Sequence, residues 1–307
     1  MESSTDPKIT LLILGAGWTY QFLQPLLEAE GITYAATTTS GHDNTIPFKF
    51  DPDSDDLEPF KKLPNANFIL ITFPLKGRGP SAKLLSMYHK AHDHTASSKI
   101  SKETGPKWIQ LGSTGIYTHP GWSDENSPID ETNDRAIAEM ELIELGGCVM
   151  NLAGLYGGSR QPKNWVSRVA KSKEQLAGKG ALHLIHGRDV ARGVLGVVKK
   201  STVDGGHTQL FGRRWIVADC VSYDWWTLVW NWMGHSGAAE TKENEEQSEG
   251  DQQGQEEKSR YRRWVSELME EQNVKALPRD VELLGRKLDS RGFWHAPGIA
   301  PEMSLAG

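Results

Sequence analysis

Three groups of side chains in this sequence could do chemistry, and each stands where an apolar run ends. The strand-forming residues 9–14 (ITLLIL) lead directly into Gly15-Ala16-Gly17-Trp18-Thr19-Tyr20. A buried strand that ends in a glycine turn and re-enters a helix points the first helical amides at whatever occupies the turn. Those amides, with the helix dipole, suit a diphosphate. Gly15 and Gly17 match the G-x-G-x-x-G pattern, while Tyr20 occupies its third glycine position. That glycine normally lets the helix approach the sheet closely, so the tyrosine predicts a wider or rotated packing. The second group is Ser113 and Thr114, after the apolar residues 107–111, with Tyr117 four residues beyond Ser113. A hydroxyl at the carboxyl end of a central strand can hydrogen-bond a substrate carbonyl or hydroxyl, and a neighbouring phenol can carry a proton. The third is Thr37-Thr38-Thr39-Ser40, about 20 residues past the glycines, where an acid would hold the ribose of NAD. No acid stands there. The hydroxyls of Thr38 and Thr39 tolerate a 2′-phosphate, which favours NADP over NAD, although no arginine adjoins them. The same missing acid argues against an S-adenosylmethionine methyltransferase.

Two further clusters carry less. His89, His92 and His94 with Asp93 invite a metal reading. On a helix His89 and His92 share a face while His94 points away, so the set does not converge, and a solvated helix end is expected with no metal. His186, Arg188 and Asp189 precede an apolar helical pattern, with Asp189 expected to cap it.

The elements that must position these groups follow from periodicity. Phe22, Leu23, Leu26 and Leu27 have helical spacing, with Pro25 expected to kink the helix or delay its regular part. Strands are predicted at 32–38, 48–51, 67–73, 107–111, 148–152 and within 209–218, and helices at 81–94 and 133–145. A further helix is expected from the glycine-rich turn 153–160 to about residue 176. Trp225, Trp226, Leu228, Val229, Trp230 and Trp232 make a helix that is apolar nearly all round. Alternating short strands and helices predict an α/β fold with a doubly wound parallel sheet of Rossmann type. Ligands of such sheets bind beyond the carboxyl ends of the strands. The expected division is a core of residues 8–153 and 183–219, and a smaller, mostly helical substrate-side lobe of 154–182 and 220–307.

Bulk properties exclude several classes. The chain has 307 residues, is 37% hydrophobic and carries a net charge of −6. Residues 240–258 hold eight acids and two lysines, which alone account for that charge. The remainder is formally neutral and lacks the basic footprint of a nucleic-acid binder. The acidic segment has no aromatic or branched apolar residue, so a disordered insertion is expected at about 238–258. Cys148 and Cys220 stand in apolar runs without a C-x-x-C partner and are expected to be buried free thiols in a reducing compartment. No run approaches the ~20 apolar residues that span a bilayer. A soluble, cytoplasmic protein with a small-molecule substrate is expected, its oligomeric state left open.

Taken in order, GAGWTY at 15–20, FD at 50–51, TFP at 72–74, STGIY at 113–117, NLAGLYGG at 151–158, LIHGRDVARG at 184–193 and WIVAD at 215–219 resemble the extended short-chain dehydrogenase/reductase superfamily. The resemblance is to its atypical members, related to NAD(P)-dependent epimerases and dehydratases, and covers residues 8–235. It implies that the glycine turn, with Gly15, Gly17 and Trp18, holds the diphosphate and that Asp51 lies by the adenine. Thr72, Phe73 and Pro74 would line the ribose, and Ser113 and Thr114 the nicotinamide. Active members carry a tyrosine and a lysine four residues apart on the helix after the fifth strand. Here that helix reads ETNDRAIAE at 131–139, with neither. Arg135 could replace the lysine at the ribose, but its pKa is too high for a proton relay. Two functions follow: an oxidoreductase or epimerase-like enzyme for a small hydroxyl or carbonyl compound, with Ser113, Thr114 and Tyr117 as candidate catalytic residues, or a non-catalytic NADP-binding sensor.

Overall fold

The computed structural model describes residues 8–92, 105–202, 207–234 and 249–305. Its centre is a seven-stranded, wholly parallel sheet. The strands are β1 (Ile9–Leu14), β2 (Tyr34–Thr38), β3 (Ile46–Pro47), β4 (Ala66–Ile71), β5 (Lys107–Ser113), β6 (Cys148–Leu152) and β7 (Arg213–Val217). Their spatial order, β3-β2-β1-β4-β5-β6-β7, reverses direction between β1 and β4. The crevice beyond that switch point is where doubly wound sheets bind ligands.

The pleat explains why β1 is apolar throughout. Leu11 and Ile13 join a core on one face, with Leu23 and Leu27 of α1 (Tyr20–Ala29). Leu12 and Leu14 join the core on the other, with Leu84 and Tyr88 of α2 (Pro80–Ala91) and Leu142 of α3 (Asp134–Glu144). A strand covered on both faces reads as a continuous apolar run. The α/β, doubly wound expectation therefore holds. The second helical layer is completed by α4 (Gly187–Thr202), which packs on α1.

Smaller elements depart from the sequence reading. The third strand lies at Ile46–Pro47, not at 48–51, because Thr37 pairs with Ile46 and the Thr38 and Thr45 hydroxyls meet at 2.7 Å. Phe48 is thereby turned into the core against Phe60. α1 continues through Pro25; the carbonyl freed four residues back belongs to exposed Gln21, where water can satisfy it. The helix expected up to residue 176 is three short pieces, Pro162–Trp165, Val166–Val169 and Lys173–Ala177, the last restarted by a Ser172 cap.

The smaller lobe packs α5 (Trp225–Trp232) on α6 (Glu249–Glu271), around Trp225, Trp226, Val229, Tyr261, Val265 and Leu268. α6 begins inside the segment expected to be disordered: the apolar contacts of 261–268 hold its C-terminal half, and the Gln and Glu residues extend the helix backwards despite Gly250 and Gly254. The rest of that segment, 238–248, lies outside the described residues, as do Asp93 and His94. The C-terminal residues do not stay in the lobe. Lys287–Leu288 pairs with Trp122–Ser123, and Phe293 and Trp294 join the core beside β7. Cys148 is buried as expected, but Cys220 is exposed, in a positive-φ turn (62°) just past β7. No helix among the described residues is long and apolar enough to cross a membrane.

Candidate functional site

The glycine turn is fixed from both sides by threonines at strand ends. Thr37 Oγ1 accepts from the Gly15 amide at 3.0 Å, and the Ala16 amide donates to the Thr37 carbonyl at 2.6 Å. Thr72 Oγ1, at the end of β4, donates to the carbonyls of Gly15 (2.6 Å) and Leu14 (3.1 Å). Gly15 sits at φ +99°, and a Cβ there would come within 2.6 Å of Thr72 Oγ1. Only glycine fits. At Gly17 a Cβ would meet nothing within 4 Å, so the space before that backbone is open. Tyr20 starts α1 and turns its ring edge-on to Tyr34, at 6.5 Å.

In front of this turn lies a cleft of about 540 Å³, lined by Gly15, Ala16, Gly17, the run 37–40, His42, Phe48, Lys49, Phe50, Thr72 and Phe73. It lies at the carboxyl ends of β1, β2 and β4. Phe50 and Phe73 stand nearly parallel, 23° apart with centroids 6.4 Å from each other, and offer an apolar wall to a planar base. The Thr38 hydroxyl is occupied, meeting Thr45 Oγ1 and accepting from the Gly41 amide, whereas Thr39 and Ser40 are exposed. Lys49 brings a positive charge to the lining, and the His42 ring, also in the lining, lies 2.8 Å from the Asp43 carboxylate. Asp51 does not line the cleft; it is exposed and accepts from the Asp53 amide in a turn. Pro74 is exposed and likewise outside the lining. Lys49 and Phe50 are functional candidates that sequence reasoning passed over, although they adjoin Asp51 in an alternating stretch.

The second group is divided. Ser113 is half-buried at the end of β5, its hydroxyl accepting from the Gly115 amide at 3.2 Å. Thr114 is buried. Tyr117 is 1% exposed, packed with Ile116, Ala136, Ile216 and Leu288, and its hydroxyl has no partner among the described residues. Burial pushes that phenol's pKa up, away from the range of a proton carrier. The phenol considered as a proton carrier beside Ser113 is thus enclosed in the core. Its backbone carbonyl, with that of Thr114, accepts from Arg286 at 2.9 and 2.7 Å, so a distant arginine locks the turn. Under Ser113 lies Glu139 of α3, fully buried, bonded to Asn151 Nδ2 (2.7 Å) and to the Ser113 amide (3.4 Å). Burial raises its pKa, against the pull of Asn151 and nearby Arg214 and Arg135. Arg135, in the first turn of α3, thus lies close enough to act on Glu139.

The remaining clusters are structural. His92 is no solvated helix end: its ring nitrogens lie 2.8 Å from the carbonyls of Tyr88 and Leu63, and its ring stacks on Tyr88 at 4.1 Å. Asp189 does not cap α4. It is fully buried and accepts from the amides of Glu302 and Met303 and from Arg192. The cap belongs to His186, whose Nδ1 accepts from the Arg188 amide. Asp219, just past β7, accepts from Tyr223 at 2.6 Å, and burial pushes its pKa up to about 6.

Comparison with solved structures agrees with this topology. A putative NAD-dependent epimerase/dehydratase from Methylobacillus flagellatus superposes with a TM-score of 0.51 at 14% identity, covering 94% of this chain and 91% of its own. The UDP-N-acetylglucosamine 4-epimerase of Bacillus cereus gives 0.54 at 12% identity, with 97% and 96% covered. Yeast methylglyoxal/isovaleraldehyde reductase Gre2, complexed with NADPH, gives 0.53 at 13%, with 96% and 94% covered. The chain has the fold of these proteins. No protein-family model and no curated protein sequence matches it.

Proposed function

We propose that the cleft binds a nicotinamide dinucleotide, NADP in preference to NAD, and that the protein is an oxidoreductase or epimerase-like enzyme for a small hydroxyl or carbonyl compound. The observation that carries the reading is the glycine turn held by Thr37 and Thr72, with open space before Gly17, at the switch point of the sheet. The turn's amides and the α1 dipole would take the diphosphate. Phe50 and Phe73 would form an apolar wall beside the base. Thr39, Ser40, His42 and Lys49 would surround the 2′-position, where a cation favours a phosphate. The likeness to a reductase complexed with NADPH supports the same cofactor class.

A bound nicotinamide would supply or accept hydride. Ser113, at the end of β5, would hydrogen-bond the substrate oxygen, with its turn kept rigid by Arg286 and Glu139. The proton would come from water, because residues 131–139 hold neither tyrosine nor lysine and Tyr117 is enclosed. That enclosure also favours a second reading, a non-catalytic NADP-binding sensor, since general acid–base help is typically worth about 10²–10⁴-fold.

Titration of the protein with NADPH, NADH and S-adenosylmethionine, followed by tryptophan quenching, tests the binding. Saturable binding of NADPH, weaker for NADH, is expected; no binding of either nicotinamide defeats both readings. Lys49→Ala should narrow the NADPH preference. A carbonyl panel read by NADPH consumption then separates enzyme from sensor, and Ser113→Ala should abolish any turnover.

A further inference from the structure

We propose that Arg160, stacked on Trp18 of the glycine turn, is the cation that neutralises a bound diphosphate, so that the cradle is built from two distant parts of the chain. This rests on the dinucleotide reading of the cleft. Residues 157–160 fold back on themselves: the Gly157 amide donates to the Arg160 carbonyl at 2.9 Å, and the Arg160 amide to that of Gly157 at 3.1 Å. Gly157 and Gly158 both have positive φ, 108° and 56°, which lets so short a reversal form.

The reversal is seated against the start of α1. A Cβ at Gly157 would run into the His186 ring, and one at Gly158 would come within 3.2 Å of Gln21 Oε1. The rings of Trp18 and Phe22 meet edge-on at 5.0 Å, and those of Phe22 and His186 at 5.3 Å. The loop after β6 is thus fastened to the first residues of the helix that would face the anion.

The Arg160 guanidinium lies 4.4 Å from the centre of the Trp18 ring. Among the described residues no carboxylate pairs with it. Arg279 over Trp226 is paired with Asp224, and Arg213 over Trp215 with Glu125; Arg262 over Trp230 is likewise without a carboxylate among the described residues, but it lies in the lobe, away from the glycine turn. A guanidinium over an indole keeps N–H donors free, and its planar fork matches phosphate oxygens. Trp18 Nε1 is also without a partner among the described residues. A cation with unused donors, parked on the residue next to Gly17, lacks only an anion.

Calorimetric titration of the full chain tests this. Wild type, Arg160→Ala and Arg160→Lys would each be titrated with NADPH and with adenosine 2′-monophosphate, which has no diphosphate. Arg160→Ala should weaken NADPH binding on the order of tenfold or more, and Arg160→Lys by less, since it keeps the charge without the fork. Binding of adenosine 2′-monophosphate should not change. Trp18→Leu, which removes the stack and keeps the arginine, should also weaken NADPH. Unchanged NADPH affinity in Arg160→Ala overturns this inference while leaving the dinucleotide reading intact. Equal loss for both ligands overturns it too, because the effect would then be structural. A wild type that binds no NADPH overturns the underlying reading and this inference with it.

Discussion

The Thr72 hydroxyl donates to the Gly15 carbonyl at 2.6 Å, tying the end of β4 to the turn that leaves β1. The same oxygen lies 2.6 Å from where a Cβ on Gly15 would stand. At the spot where the cleft opens, the Thr72 side chain thus adds to the ladder that already pairs the two strands flanking the switch point.

The two glycines of the turn should separate in mutagenesis. Gly15→Ala places a methyl 2.6 Å from Thr72 Oγ1 at φ +99°, and should cost about 1–3 kcal/mol in urea denaturation. Gly17→Ala meets no atom within 4 Å and should leave stability within about 0.5 kcal/mol. It should nevertheless weaken NADPH binding, because the added carbon enters the space before the turn. A Gly17→Ala protein that binds as wild type would place the ligand elsewhere.

The lobe contains a buried ion pair. Asp224, fully buried, caps α5 through the Trp226 amide and receives Arg279 at 2.7 Å; Arg279 is itself buried and lies over Trp226. Asp224→Ala leaves a buried guanidinium unpaired and should cost about 3–5 kcal/mol. The midpoint of urea denaturation reads the loss, and a change of under 1 kcal/mol would show the pair to be dispensable.

Stability should depend on pH through Asp219. Its pKa is about 6 in the folded protein against an ordinary 3.8, so the folded state holds more protons in that window. Stability is then highest below the unfolded value and falls as pH rises to about 6, by roughly 3 kcal/mol at the limit. His183, pushed down to about 4 mainly by burial, acts oppositely: it loses stability as pH falls from 6.5. Asp219→Asn removes the first effect, so relative to wild type it should gain stability between pH 4 and pH 7. Urea midpoints that shift in parallel across this range would contradict the assignment.

The C-terminal residues should come loose without Asp189. Its carboxylate accepts from the amides of Glu302 (3.1 and 3.0 Å) and Met303 (2.8 Å), while Tyr223 accepts from the Leu305 amide at 3.0 Å. Asp189→Ala should raise amide exchange across 300–305 at least tenfold, with a smaller rise in β1. Uniform loss of protection would mean that the whole core, not the strap, depends on it.

What the sequence determined by itself is the sheet and the turn. The alternation that buries Leu11 and Ile13 on one face and Leu12 and Leu14 on the other is local, and so is the arrest of β1 at Gly15. Ser113 at the end of β5 follows from the same logic. Tertiary structure decided what surrounds them. Tyr117 is sealed in because Ile216 and Leu288, about 100 and 170 residues later, close over it, which no spacing rule contains. The helix from Glu249 forms because Tyr261, Val265 and Leu268 find α5, overriding a composition too polar to fold alone. Arg160 reaches Trp18 only because parallel strands bring the loop after β6 and the turn after β1 to the same end of the sheet. Local pattern sets where each strand stops; long-range packing sets which side chains meet there.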